Sequence, residues 1–193
     1  PDSGNHAAVG YARRSGIPNA HAIIRNHYTG RTFIGGKQSE RREKSVIKYD
    51  VDPSAVEGRK VAVIDDSLVR STTARTIVRK LKRQGAAEIY FLLASPPIRY
   101  PNYYGIDMKS REELAAAGST VEEIREMLDI EYLGYLSLDG AYDVIEDVTG
   151  EEVADEDFDD ACFTGNYWDI TFPESGRPGD ATVTDVRETA GDR

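Results

Sequence analysis

The chain has a single cysteine, Cys162, in 193 residues. One thiol excludes an intrachain disulfide framework and any cluster held by this chain's cysteines alone. Histidine is scarce too. His6, His21 and His27 form no metal-ligand spacing, so ordinary surface or core roles are expected for each. No apolar run approaches the ~20 residues that span a bilayer, and no secretory leader is visible. A cytoplasmic setting without membrane attachment is therefore expected. Charge of each sign is missing from one half. Residues 1–100 carry 18 Lys+Arg against 9 Asp+Glu, whereas residues 101–193 carry 6 against 25. The basic half suits an anionic substrate. The acidic half argues against a nucleic-acid binder, which needs a continuous basic face; it reads as a solvated surface, with adaptation to high salt left open.

What is present centres on residues 61–73, VAVIDDSLVRSTT. Four apolar residues end at two adjacent aspartates, a polar turn follows, and then comes the helical pattern ARTIVRKLKRQG. Adjacent acids at a strand end are often plain solvation. Here they open into a loop of phosphate size before a helix N-terminus, which suits a sugar phosphate. Loop amides, hydroxyls and the helix dipole can hold a terminal phosphate. Asp65 and Asp66 can then hold ribose hydroxyls or the shell of a Mg²⁺ ion.

The rest of the chain gives the architecture. Residues 6–15 read as a helix closed by Gly16 and Pro18, and residues 21–25 as a short strand. Residues 26–44, NHYTGRTFIGGKQSERREK, are basic and Gly-rich, either a functional lid or disordered. Residues 61–64 read as a buried strand, 73–84 as a helix stopped by Gly85, and 88–95 as the next strand. That alternation predicts a parallel α/β sheet with ligands beyond the strand carboxyl ends, where Asp65 and Asp66 fall. Short helices are expected over 111–117 and 120–128, the second with a Thr120–Glu123 capping box. A strand is expected over 132–136 and a helix over 139–148. The expected division is a partial domain over 1–150, an extension over 151–173 and a disordered tail over 174–193.

The order PDSGNHAAVGYA, NHYTGRTFI, VIDDSLVRSTT, SPPIRYPNYYGIDM and ACFTGNY resembles the glutamine phosphoribosyl pyrophosphate (PRPP) amidotransferases, or amidophosphoribosyltransferases, over roughly residues 1–170. The resemblance implies a parallel-sheet type I phosphoribosyltransferase fold with a C-terminal helical extension. It implies the first committed step of purine synthesis, in which ammonia derived from glutamine displaces pyrophosphate at C1 of PRPP to give phosphoribosylamine. Two other readings stay open: another type I transferase, for which no base-recognising signature is found, and a non-catalytic PRPP-binding regulator, which should show a basic nucleic-acid-binding face.

The resemblance also assigns roles. Ser67, Leu68, Val69, Arg70, Ser71, Thr72 and Thr73 would wrap the 5′-phosphate, with Asp65 and Asp66 on ribose and Mg²⁺. Asp2 and Gly4 would hold pyrophosphate with Ser3 as a metal contact, although Asp-Ser-Gly alone is also a helix N-cap signature. Residues 26–44 would form the lid, with Tyr28, Arg31 and Lys48 as catalytic contacts to substrate or leaving group. Ser71 stands where the family usually has Gly, and His27 and Thr29 where it has Arg and Val. A glutaminase domain and the strand before Asp2 are expected to be missing. Cys162 is expected to be inert, neither a glutaminase nucleophile nor part of an iron–sulfur cluster: cluster-bearing members have cysteines where Asn102 and Asp159 stand. Purine nucleotides as feedback inhibitors and a homo-oligomeric state are further implications. The aromatic run Tyr100, Tyr103 and Tyr104 could stack a nucleotide or simply pack locally.

Overall fold

The computed structural model describes residues 2–26, 49–104, 110–153, 157–167, 170–171 and 182–183. Its centre is a three-stranded parallel sheet of β3 (Lys60–Asp65), β4 (Glu88–Leu93) and β5 (Tyr132–Tyr135), in the order β3-β4-β5. β4 lies in the middle, with Val63 opposite Phe91 and Phe91 opposite Leu133. Alternate β4 side chains, Ile89, Phe91 and Leu93, are buried. Phe91 has no exposed surface; its truncation to Ala would cost about 3–5 kcal/mol.

Helix α3 (Ser71–Arg83) crosses between β3 and β4 and buries Ala74, Thr76, Ile77, Val78 and Leu81, one face of a 3.6-residue period. Helix α4 (Val121–Leu128) leads into β5 and buries Ile124 and Leu128. Its capping box forms as the sequence implies: Glu123 N donates to Thr120 Oγ1 at 3.2 Å and Thr120 N donates to Glu123 Oε2 at 2.7 Å.

Helix α1 (Asn5–Ser15) stops at Gly16, whose φ of +75° is left-handed and whose N–H donates to Ala12 O. It contains no buried residue and lies along β3. Together α1, residues 17–23 and β3 line an apolar groove of about 310 Å³ that reaches Ile64 but neither Asp65 nor Asp66. Two short elements are not evident from periodicity. β2 (Tyr49–Val51) pairs antiparallel with β1 (Ile23–Arg25), and α2 (Pro53–Val56) starts where Asp52 accepts from Ser54 N at 2.9 Å.

The helix expected over 111–117 is corrected to one 3-10 turn, Arg111–Glu113. Leu114 is drawn into a small apolar cluster with Ile98, and Ala115 N donates to Val69 O at 2.9 Å instead of continuing a helix. Beyond β5, α5 (Leu138–Thr149) contains no buried residue. α6 (Ala161–Thr164) is followed by the short antiparallel pair β6 (Ile170–Thr171) and β7 (Thr182–Val183). Among the described residues no helix is long and apolar enough to cross a membrane.

Candidate functional site

Strand β3 ends at Asp65, so both acids of the sequence motif stand at the carboxyl edge of the sheet. Each carboxylate is oriented by the next residue. Asp66 N donates to Asp65 Oδ1 at 3.0 Å, and Ser67 N donates to Asp66 Oδ1 at 2.8 Å. Asp66 is exposed and Asp65 is half-buried. Burial, and then the neighbouring Asp66 carboxylate, push Asp65 up to about 6. A cation at this edge would relieve both the desolvation and the repulsion.

The loop after the acids is fixed by its apolar residues. Leu68 is buried in the main core, while Val69 packs against the smaller cluster formed by Ile98 and Leu114. Arg70 makes an ion pair with Glu113. Ser71 opens α3 two residues earlier than the sequence pattern implies, and no side chain caps that end. Thr72 and Thr73 are exposed in the first turn. The Ser71 position makes no demand for positive φ: among the described non-glycine residues only Asp129 has one. Serine therefore stands here without backbone strain.

The Asp2–Gly4 segment lies against this same strand end. Gly4 is buried, and a Cβ there would come within 2.7 Å of Ile64 O and 2.9 Å of Asp65 Cα. Only glycine permits the approach. Two motifs separated by some 60 residues of chain thus meet at one edge. Ser3 is exposed, and Asp2 Oδ2 accepts from Arg25 Nη1 at 2.8 Å. The helix-cap alternative fails, because α1 has no side-chain cap bond and Asp2 contributes only its carbonyl, to Asn5 N. Tyr28, Arg31 and Lys48 lie outside the described residues, as does nearly all of the expected lid.

The residues present fit Mg²⁺ carried on phosphates better than a metal held by protein alone. No group of three or more His, Cys, Asp or Glu suited to a metal occurs among the described residues. Mg²⁺ keeps most of its shell as water and substrate oxygens and needs only one or two carboxylates, which is the donor set that Asp65 and Asp66 supply.

The aromatic run is packed against later segments of the chain. Tyr103 and Tyr104 lie against Tyr167, with ring centroids 5.2 and 6.4 Å apart, and Tyr100 lies under Arg111. Cys162 O accepts from Arg99 N and Tyr100 N, which ties α6 to that run. Burial, with Asp159 and Asp160 nearby, pushes the Cys162 thiol up to about 11, so it stays protonated and weakly nucleophilic at neutral pH. Glu113, which holds Arg70, was not singled out by the sequence; no local pattern marks an ion pair across 43 residues.

No family model matches the chain. It is 46% identical over 167 residues to the amidophosphoribosyltransferase of Archaeoglobus fulgidus, a match covering 86% of this chain and 36% of that protein. It is 42% identical to the amidophosphoribosyltransferase of Synechocystis, over 92% of this chain and 34% of the relative. Among solved structures it resembles the glutamine PRPP amidotransferase of Bacillus subtilis complexed with ADP and GMP. The TM-score is 0.67 at 40% identity, over 86% of this chain and 36% of that one. The chain spans about a third of the length of the curated relatives it matches. By sequence and by fold, this chain is similar to the phosphoribosyltransferase portion of the amidophosphoribosyltransferases, about a third of their length.

Proposed function

We propose that this chain is the phosphoribosyltransferase half of an amidophosphoribosyltransferase, a cytoplasmic enzyme that makes 5-phosphoribosylamine from PRPP and ammonia. The observation that carries the reading is the approach of Gly4 to the end of β3, which sets the Asp2–Gly4 loop beside Asp65 and Asp66. A substrate with phosphate at one end and pyrophosphate at the other needs two anion loops flanking a ribose, and the two loops at this edge would serve as that pair.

The residues divide the work. The amides of residues 67–73 and the hydroxyls of Ser71, Thr72 and Thr73 hold the 5′-phosphate at the open end of α3. Asp65 and Asp66 accept from the ribose hydroxyls and, with Ser3, would hold Mg²⁺. When bound, Mg²⁺ would supply charge to offset that developing on the leaving pyrophosphate. Asp2 and Gly4 position that pyrophosphate. The ammonia lone pair forms the bond to C1 as the C1–O bond breaks, pyrophosphate leaves with the electron pair, and the new ammonium then loses a proton. Tyr28, Arg31 and Lys48 are proposed to close over this centre and exclude water, which would compete for the oxocarbenium-like carbon. Nitrogen reaches the site as ammonia from a glutaminase partner domain, and purine nucleotides act as feedback ligands.

The experiment is pyrophosphate release from Mg²⁺-PRPP, with ammonium salt as nitrogen source at alkaline pH. Release that requires ammonia, PRPP and Mg²⁺ together supports the reading. Binding of PRPP without turnover would favour a sensor instead. Glutamine hydrolysis that disappears in Cys162→Ala would overturn the assignment of that thiol.

A further inference from the structure

We propose that Glu113 is a positioning residue that sets the 5′-phosphate loop from outside it, an inference that rests on the site reading above. The loop and its helix have no local brace at their junction: α3 lacks a side-chain cap, and Arg70 occupies the cap position in extended conformation. The structure supplies the brace from the stretch after β4. Glu113 pairs with the Arg70 guanidinium. Two residues on, Ala115 N donates to Val69 O at 2.9 Å. Between them Leu114, only 5% exposed, packs with Ile98 against Val69.

Charge, backbone and apolar attachment thus converge on Val69 and Arg70, directly before the first residue of α3. Arg70 Nε is buried and has no hydrogen-bond partner among the described residues. Glu113 is the carboxylate paired with that guanidinium, whose side chain is otherwise 28% exposed. Without the Glu113 charge, Arg70 gains by turning toward water, and the loop backbone that must cradle a phosphate turns with it. The same attachment bears on why residues 111–117 stop after one 3-10 turn: Ala115 N donates to Val69 O rather than continuing a helix.

The test is equilibrium binding and ammonia-dependent kinetics on Glu113→Gln in the intact protein, with three probes: ribose 5-phosphate, inorganic pyrophosphate and Mg²⁺-PRPP. Glu113 is 46% exposed at its side chain, so the isosteric change is compatible with folding. The expected result is a rise of about 5–20-fold in Kd for ribose 5-phosphate and PRPP, the scale of one lost charge-assisted contact. Pyrophosphate affinity, and kcat at saturating PRPP, should stay within about twofold of the unaltered protein. Glu113→Asp, which keeps the charge, should recover part of the loss. Equal loss of pyrophosphate and ribose 5-phosphate binding would mean general damage and would overturn the brace. So would unchanged, or tighter, ribose 5-phosphate binding in Glu113→Gln. If the unaltered protein binds neither ribose 5-phosphate nor PRPP, the site reading fails and the brace fails with it.

Discussion

Helices α1 and α3 both begin at loops that face the carboxyl end of β3, yet they are held in different ways. α3 buries five residues in the core, and its leading loop is anchored by Leu68. α1 buries none; it rests beside an apolar groove, and Gly4, just before it, lies against the end of β3. In the proposed reading the embedded loop takes the 5′-phosphate, which stays bound through the reaction. The lightly held loop takes pyrophosphate, which must arrive and leave. Few buried contacts mean low local stability, and ligand-gated segments are drawn from that end of the range.

The comparison breaks most severely at Gly4. In Gly4→Ala the new Cβ would press on the backbone at Ile64 O, 2.7 Å away, and at Asp65 Cα, 2.9 Å away; neither can step aside as a side-chain tip could. Overpacking of this kind costs about 1–3 kcal/mol of stability. It also pries the two proposed anion loops apart, so Mg²⁺-PRPP affinity should fall at least about tenfold, the same scale expressed in binding. Gly10→Ala, on the same helix, meets nothing within 4 Å. It should stabilise by about 0.5–1 kcal/mol, the ordinary helix gain over glycine. Urea denaturation of the pair is the check, and the same sign for both would show that α1 does not dock as described.

A smaller effect belongs to the acid pair between the loops. Asp65→Asn and Asp66→Asn should each weaken Mg²⁺-PRPP binding by ~1–3 kcal/mol, measured by calorimetric titration. Unchanged affinity in both would remove them from the site. Asp65 also gives a pH signature in the ligand-free protein. Its value of about 6 lies above the ordinary 3.8, so the folded state binds that proton more tightly than the unfolded chain does. The resulting stability is fully present below the unfolded value and is lost as pH rises from about 4 through about 6, by about 3 kcal/mol. Melting temperature should decline over that window in the unaltered protein, and Asp65→Asn should flatten the decline. Parallel curves for the two proteins would assign the slope to other groups.

The embedded half was also the more legible. The apolar run of β4, the helical pattern of α3 and the Thr120–Glu123 cap are local signals, and each element stands within two residues of where its residues indicate. The elements over Tyr49–Val51 and Pro53–Val56 are too short for periodicity, although Asp52 before Pro53 is an N-cap and N1 signature that could have been read. Residues 111–117 have helical composition, but Leu114 and Ala115 spend their contacts on Val69, a tertiary preference that overrides propensity. The acids and the loop could be named from residue types. The approach of Gly4 to Asp65 and the grip of Glu113 on Arg70 are long-range contacts between segments with no shared local pattern. Each could be found only once the sheet had placed its partners.

The smallest effect sharpens the comparison from the α1 side. Arg25 Nη1 donates to Asp2 Oδ2 at 2.8 Å, with side chains 27% and 53% exposed. A pair this exposed contributes at most about 1 kcal/mol to stability. Arg25→Gln should therefore leave the urea midpoint almost unchanged. Its consequence lies in charge. Asp2 would stand uncompensated in the loop proposed to receive pyrophosphate, and a bare carboxylate repels that anion. Pyrophosphate affinity should fall about two- to fivefold at low salt, and the difference should shrink as ionic strength rises, because the repulsion acts near the surface and is screened. Ribose 5-phosphate binding, served by the α3 loop, should not change. This is the mirror of the Glu113→Gln pattern, in which ribose 5-phosphate is lost and pyrophosphate kept. Two single charges, one beside each helix, would then separate the two ends of one substrate. If Arg25→Gln weakens both ligands equally, α1 and α3 act as one rigid frame, and the contrast between a held phosphate loop and a lightly held pyrophosphate loop is wrong.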